Sequence, residues 1–133
     1  MTGQRSEGRV NEQTERVAAV ERHLPLKPVV FHVLLALAER DLHGYGVIQA
    51  VRERSARRIE LQTGVFYRHL KKVMDAGLVD ESPARPADDD PRRGAYYRLT
   101  PLGREVLSAE ADRLAALVTA SSALGLTGRS SER

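Results

Sequence analysis

Tyr67, Arg68, Lys71 and Lys72 are spaced to share one side of an α-helix, with Gly64 beside them near its start. On a helical wheel with Phe66 at zero, Leu70, Val73 and Gly77 cluster with Phe66 and Met74 flanks them. The basic residues fall opposite. One face packs, and the other offers two lysines, an arginine and a tyrosine. Such a helix suits the major groove of a duplex: a rigid apolar anchor with long donors that reach phosphates and base edges. The same pattern also describes an ordinary helix with a solvated basic face. A second basic group bears on the choice. Arg92 and Arg93 lie in a loop before a strand-like segment, and Arg98 projects from that segment. A basic hairpin beside a basic helix can grip the flanking backbone or minor groove. Asp88, Asp89 and Asp90 immediately precede these arginines and would repel phosphate if they all pointed the same way. They are expected on the outer side of the loop, partly neutralised by Arg85, Arg92 or Arg93. Three adjacent carboxylates lack the alternate spacing of a calcium loop, so no metal site is assigned.

These side chains need a frame. Val10, Val17, Val20 and Leu24 recur at helical spacing and predict a short amphipathic helix after a polar, disordered stretch at 1–9. Pro25 and Pro28 close it and open the next helix. There Val30, Val33, Leu34, Leu37 and Ala38 form a buried stripe, widened by Phe31 and Leu35. Asp41 to Gly44 reads as a turn. Tyr45, Val47, Ile48 and Val51 predict a second helix of this unit, and Ile59-Glu60-Leu61 reads as a short strand. Thr63 is placed as the N-cap of the basic helix, which stops at Gly77. Leu78–Ser82 and Ala95–Leu99 read as strands flanking the polar loop 83–94, with Tyr97 and Leu99 on one face and Tyr96 and Arg98 on the other. Thr100-Pro101 starts a long last helix.

The fold class is therefore mainly α with a small β-hairpin, a winged helix-turn-helix plus a long C-terminal dimerisation helix. The expected division is an extension at 1–24, the winged helix-turn-helix at 25–99, the dimerisation helix at 100–125 and a flexible tail at 126–133. The chain has 133 residues, no cysteine and a net charge of +3. No apolar run reaches the ~20 residues of a membrane span, and the polar start lacks the apolar stretch of a secretory signal. A cytoplasmic location is expected, with no membrane partner. The histidines His23, His32, His43 and His69 are scattered, with His32 read as a packing or hydrogen-bonded residue. No H-E-x-x-H, P-loop or G-x-S-x-G motif occurs. No catalytic residue and no cofactor are assigned.

Several segments together carry a resemblance. His43-Gly44-Tyr45, Gly64-Val65-Phe66-Tyr67, Asp75-Ala76-Gly77-Leu78-Val79 and above all Arg92-Arg93-Gly94-Ala95-Tyr96-Tyr97-Arg98-Leu99-Thr100-Pro101-Leu102-Gly103 occur in one order and spacing. From Leu24 to about Leu124 the chain resembles the smaller subclass of the PadR family of transcriptional regulators. The resemblance implies a homodimer on a roughly palindromic operator in double-stranded DNA, usually acting as a repressor. It implies that Tyr45 and Tyr67 contact phosphate or help position the basic helix. Family members commonly carry Ser or Thr where this chain has Val65, so a hydroxyl contact there is not carried over. Thr63 would supply a substitute or cap the helix, and capping is the expected role. Some relatives hold flat aromatic molecules between tryptophans at the dimer interface. This chain has no Trp, and no effector pocket is nominated.

The last helix supplies the second partner, another copy of the chain. Leu107 and Leu114 are seven apart, as are Leu117 and Leu124, with Ala111 and Val118 between them and Glu110 and Ser121 interrupting. Packing against its own domain is the alternative. A helix of this length would still leave a stripe that a second copy can bury, joined by Val17 and Val20 of the first helix.

Overall fold

Phe66 is fully buried, and the residues around it explain the chain's order of elements. The structure, a computed structural model, describes residues 2–83, 85–86 and 89–128. Among these, α2 (Pro28–Glu39) contributes Val33, Leu34 and Leu37 to the core, and α3 (Gly44–Arg54) contributes Val47 and Val51. Phe66, Leu70 and Val73 come from α4 (Thr63–Asp75), and Val106 and Leu107 from the first half of α5 (Pro101–Ala123). The sets in α2, α3 and α4 follow the three-to-four-residue spacing that turns one helical stripe inward, as do Gly103, Val106, Leu107 and Glu110 together in α5.

The first helix, α1, spans Thr2–Glu21, so the backbone is helical where a disordered stretch is expected from composition. Once a helix is nucleated, each added residue gains a hydrogen bond, and no proline occurs before Pro25 to stop it. Helix α1 lies against α5, where Arg16 pairs with Glu105 at 2.8 Å.

The sheet has three strands. β1 (Leu42–His43), β2 (Val79–Ser82) and β3 (Tyr96–Leu99) pair antiparallel in the order β1-β3-β2. Tyr96 and Tyr97 of β3 face His43 and Leu42 on one side and Ser82 and Glu81 on the other. Two expectations change here. Leu42–His43, read as part of a turn, is the edge strand of the wing, and Ile59–Leu61 is not a strand. A two-residue strand is too short to show alternation, and its existence depends on a free edge of β3 far along the chain. Ile59 and Leu61 are apolar because they pack against the core. They follow a turn in which Ser55 Oγ accepts the Ile59 N–H at 3.0 Å and donates to the Arg52 carbonyl at 3.2 Å.

The hinge between wing and last helix is tight. Thr100 caps α5, its hydroxyl accepting the Gly103 N–H at 2.9 Å and donating to the Gly77 carbonyl at 2.6 Å. A Cβ on Gly103 would fall 2.1 Å from the Leu78 carbonyl oxygen, so only glycine lets α5 approach the end of α4 this closely. This is the winged helix-turn-helix arrangement with a long helix leaving it.

Candidate nucleic-acid interface

Burial of Phe66, Leu70 and Val73 fixes the rotation of α4 and turns its other side outward. Thr63, Gly64, Tyr67, Arg68, Lys71 and Lys72 are all exposed there. The N-cap position belongs to Gln62 rather than Thr63, and no side chain caps this helix. Thr63 therefore sits in the first turn with its side chain exposed, beside Gly64, whose surroundings are open. Val65 is half-buried.

Tyr67 is placed by packing. Its ring meets Phe66 edge-on at 5.0 Å and covers Gly44, the first residue of α3. A Cβ on Gly44 would lie 2.5 Å from the Tyr67 hydroxyl oxygen and 3.3 Å from Phe66 Cε2. The neighbouring Tyr45 is exposed at the start of α3. Both tyrosines thus belong to the surface where α3 begins and α4 passes.

The charge on α4 is largely uncompensated. Of its cations only Lys71 pairs with a carboxylate among the described residues, Asp75 at 3.8 Å. Both partners are well exposed, and such pairs contribute little. His69 titrates below the ordinary histidine range, first because it is partly buried, then because Lys72, Lys27 and Arg68 repel a fourth positive charge. No carboxylate is among the groups acting on it.

The wing arrangement corrects one expectation. Asp88 lies outside the described residues. Asp90 caps the 3-10 turn Pro91–Arg93, accepting the Arg92 N–H at 2.9 Å and pairing with the Arg92 guanidinium at 3.1 Å. Asp89 does not stand on the loop's outer side. Its carboxylate is covered by Tyr96, Arg85 and Arg93. The Tyr96 hydrogen bond, more than any other influence, holds the Asp89 carboxyl below the usual carboxylate range. Tyr96, expected on the outer face with Arg98, is buried beneath this loop, whereas Arg98 is exposed opposite Asp80. Among the described residues no three His, Asp or Glu side chains gather as a metal ion requires.

The second surface lies along α1 and α5. Leu117, Val118, Leu124 and Val17 are exposed, and Leu114 and Val20 half-buried. Leu107 departs from the expected stripe: it belongs to the chain's own core. The first half of α5 is needed to close the winged helix, so only the half after Glu110 stays free. Glu110, read as an interruption of the heptads, is buried and ties α5 to the segment before α2.

Sequence reasoning missed Asp89, Tyr96 and Glu110 as organising residues. The pairing of Asp89 and Asp90 with Arg85, Arg92 and Arg93 was expected from the sequence and is found; what was missed is that Asp89 turns inward onto Tyr96. For Glu110 no signal was present, because its partner Leu26 is 84 positions away.

The sequence model of the transcriptional regulator PadR-like family matches residues 33–109. No curated protein matches the sequence. Among solved structures, a PadR-like transcriptional regulator from Bacillus cereus superposes with a TM-score of 0.62 at 17% identity, covering 76% of this chain and 93% of that one. A PadR family transcription regulator from Clostridium difficile gives 0.61 at 21% identity, over 74% of this chain and 98% of that one. Bacillus subtilis PadR in complex with operator DNA gives 0.52 at 21% identity, over 64% of this chain and 47% of that one. At these identities the likeness speaks for the fold. No helix among the described residues is long and apolar enough to cross a membrane.

Proposed function

Because this chain belongs to the PadR-like family of transcriptional regulators, we propose that it is a sequence-specific DNA-binding regulator, acting as a repressor and binding a roughly palindromic operator as a homodimer. The observation that carries this reading is the outer face of α4, with Arg68, Lys71 and Lys72 exposed and Asp75 the only carboxylate paired to them among the described residues. A surface that holds like charges together without counter-charge favours a polyanion, because each phosphate contact relieves repulsion and releases condensed counterions.

In this reading α4 enters the major groove with Thr63 and Gly64 leading. Arg68, Lys71 and Lys72 contact phosphates and base edges, and Tyr45 and Tyr67 lie against the backbone. Arg92, Arg93 and Arg98 of the wing reach the neighbouring backbone or minor groove. The unit at 25–99 carries the DNA surface, and the helix at 100–125 joins two copies through Leu114, Leu117, Val118 and Leu124; Val17 and Val20 of α1, beside Glu105 and Ala109, extend the seam, with Val20 packing on the chain's own core as well. Two copies would set their α4 helices about 34–36 Å apart, one turn of duplex. The competing reading, a winged helix used only to dock proteins, fits less well. Among the described residues the large exposed aliphatic side chains lie on α1, on α5 and just beyond it. A protein-docking face would carry apolar or aromatic anchors; Tyr67 of α4 is exposed, but Lys71 and Lys72 stand on the same side, and lysine is depleted from such faces.

Selection of bound sequences from random duplex DNA with the purified protein tests the proposal. A two-fold related consensus should emerge and outcompete random DNA at moderate salt. If no sequence does so, the regulator reading fails. Transcription from a promoter carrying the selected site should rise when the protein is removed; a fall would replace repression by activation.

A further inference from the structure

A carboxylate in the wing is out of place on a surface offered to phosphate, and its geometry shows what it does instead. Asp89 is close in sequence to Arg92 and Arg93, yet its side chain is 3% exposed. Its Oδ1 accepts the Tyr96 hydroxyl at 2.6 Å and the Arg93 guanidinium at 3.3 Å. Its Oδ2 accepts Arg85 Nε at 3.0 Å and lies 2.9 Å from a terminal nitrogen of the same guanidinium. Arg85 also stands over the Tyr96 ring, 5.6 Å from its centre. One carboxylate therefore gathers both arms of the wing loop onto β3. The linkage continues inward. The Tyr96 ring meets His43 edge-on at 5.3 Å, and His43 Nδ1 accepts the Gly46 N–H at 3.1 Å, capping α3.

The two loop arginines differ in consequence. Arg93 is held by the covered carboxylate, which it shares with Arg85, so its guanidinium is engaged in the fold although the three groups together keep one positive charge. The side chain of Arg92 is 90% exposed, and its partner Asp90 is itself partly exposed. An ion pair of that kind is weak in water and can be exchanged for a phosphate.

We propose that Asp89 is a positioning residue for DNA binding: its carboxylate clamps the wing loop onto β3, with Arg93 as its structural partner and Arg92 as the loop's phosphate contact. The proposal rests on the DNA-binding reading and divides the roles within it. A loop already fixed in its bound form loses less freedom on binding, which is the gain the clamp provides.

Asp89→Asn tests it because two roles predict opposite signs. If Asp89 only weakened the positive field, its neutralisation would raise affinity for the selected duplex and steepen the salt slope. The clamp predicts that affinity falls by roughly tenfold, the loss of about one charge-assisted contact. It also predicts faster trypsin cleavage after Arg92 and Arg93 in the absence of DNA; Arg85 precedes Pro86 and is not a trypsin site. Tyr96→Phe should act in the same direction, and Arg93→Ala should speed cleavage after Arg92. Arg92→Ala should lower the salt slope by about one unit and leave cleavage after Arg93 unchanged. An Asp89→Asn protein that binds as tightly as wild type or tighter, or that resists trypsin as well, overturns the clamp. If Asp89→Asn fails to fold, the trypsin comparison of Tyr96→Phe, Arg93→Ala and Arg92→Ala decides. Should wild type bind no duplex, the DNA-binding reading fails, while the trypsin series still tests the clamp.

Discussion

Glu110 of α5 accepts the backbone N–H of Leu26 at 2.6 Å, joining the last helix to the segment that enters α2. The carboxylate is 1% exposed and also holds the Arg113 guanidinium, whose hydrogen bond keeps it ionised to lower pH than an ordinary glutamate. Glu110→Ala would leave a covered N–H and an arginine without their acceptor. Breaking such a group costs about 2–3 kcal/mol here, less than a fully buried pair because Arg113 is partly exposed. The urea midpoint of the variant should fall accordingly, and Glu110→Gln, which keeps an acceptor, should recover part of the loss. An unchanged midpoint for Glu110→Ala would remove Glu110 from the list of structural anchors.

The apolar frame was legible because its signal is local. Val33, Leu34 and Leu37, or Phe66, Leu70 and Val73, announce a buried stripe within a few turns. Thr100 announced its cap from the Pro that follows it. What escaped depends on partners distant in sequence. β1 is two residues long and exists because β3 offers an edge; Glu110 reads as a broken heptad until Leu26 is beside it. The basic face of α4 was legible from spacing alone. The inward turn of Asp89 was not, since it depends on Tyr96 being covered by the loop.

Gly44 controls the second tyrosine of the interface. Gly44→Ala would put a methyl group 2.5 Å from the Tyr67 hydroxyl oxygen and force the ring aside. The clashing atom is the far end of an exposed side chain, so the ring can swing aside at small cost to the fold. The expected outcome is a folded protein of nearly unchanged melting temperature whose affinity for the selected duplex falls more than that of Tyr67→Phe. Equal affinity of Gly44→Ala and wild type would show that the position of Tyr67 does not matter to binding.

The lysines of α4 should separate in a salt series. Lys72 is exposed with no ion pair among the described residues, whereas Lys71 is near Asp75. Lys72→Ala should reduce the log–log salt slope by about one unit with a matching loss of affinity across all duplexes. Asp75→Ala should instead strengthen binding modestly by releasing Lys71. A Lys72→Ala slope equal to wild type would place that residue off the backbone.

Acid should weaken the fold before the carboxylates titrate. Burial holds His23, His43 and His69 below the ordinary value of about 6.5, aided by Arg22, by Arg93, and by Lys72, Lys27 and Arg68 respectively; Asp89 opposes the shift at His43. The unfolded chain therefore takes up protons at higher pH than the folded one. Stability is complete above about pH 6.5 and declines as pH falls below it, until the folded histidines are protonated too. Glu110, Asp89 and Asp90, held low by their hydrogen bonds, add a second loss as pH falls below the carboxylate range. Urea midpoints between pH 7.5 and 5 should fall, and His69→Gln should flatten that fall. A midpoint that rises on acidification would contradict the sign.

The free half of α5 carries the prediction on assembly. Leu117 and Val118 are adjacent and 51% and 57% exposed, and Leu124 two turns further is 75% exposed. Three large aliphatic side chains where α5 runs on past its packed first half leave an apolar strip in water; the exposed Val17 of α1 lies further back, beside Glu105 and Ala109. In the proposed dimer a second copy would bury this strip by symmetry, since an isologous contact sets each side chain against a matching surface. Leu117→Asp with Val118→Asp would place two charges in that seam, where desolvation without a partner is costly. Because neither residue belongs to the core, the variant should keep its helical circular dichroism and melt at a temperature set by the winged helix alone. Light scattering should report one copy instead of two, and operator affinity should fall by at least a hundredfold, as one α4 reads only half of a two-fold site. Leu107→Asp is the contrasting case: it lies in the core, so it should unfold the chain rather than dissociate it. A wild-type protein that remains monomeric at micromolar concentration would refute the dimer. A monomeric variant that still binds the operator as wild type does would separate assembly from recognition.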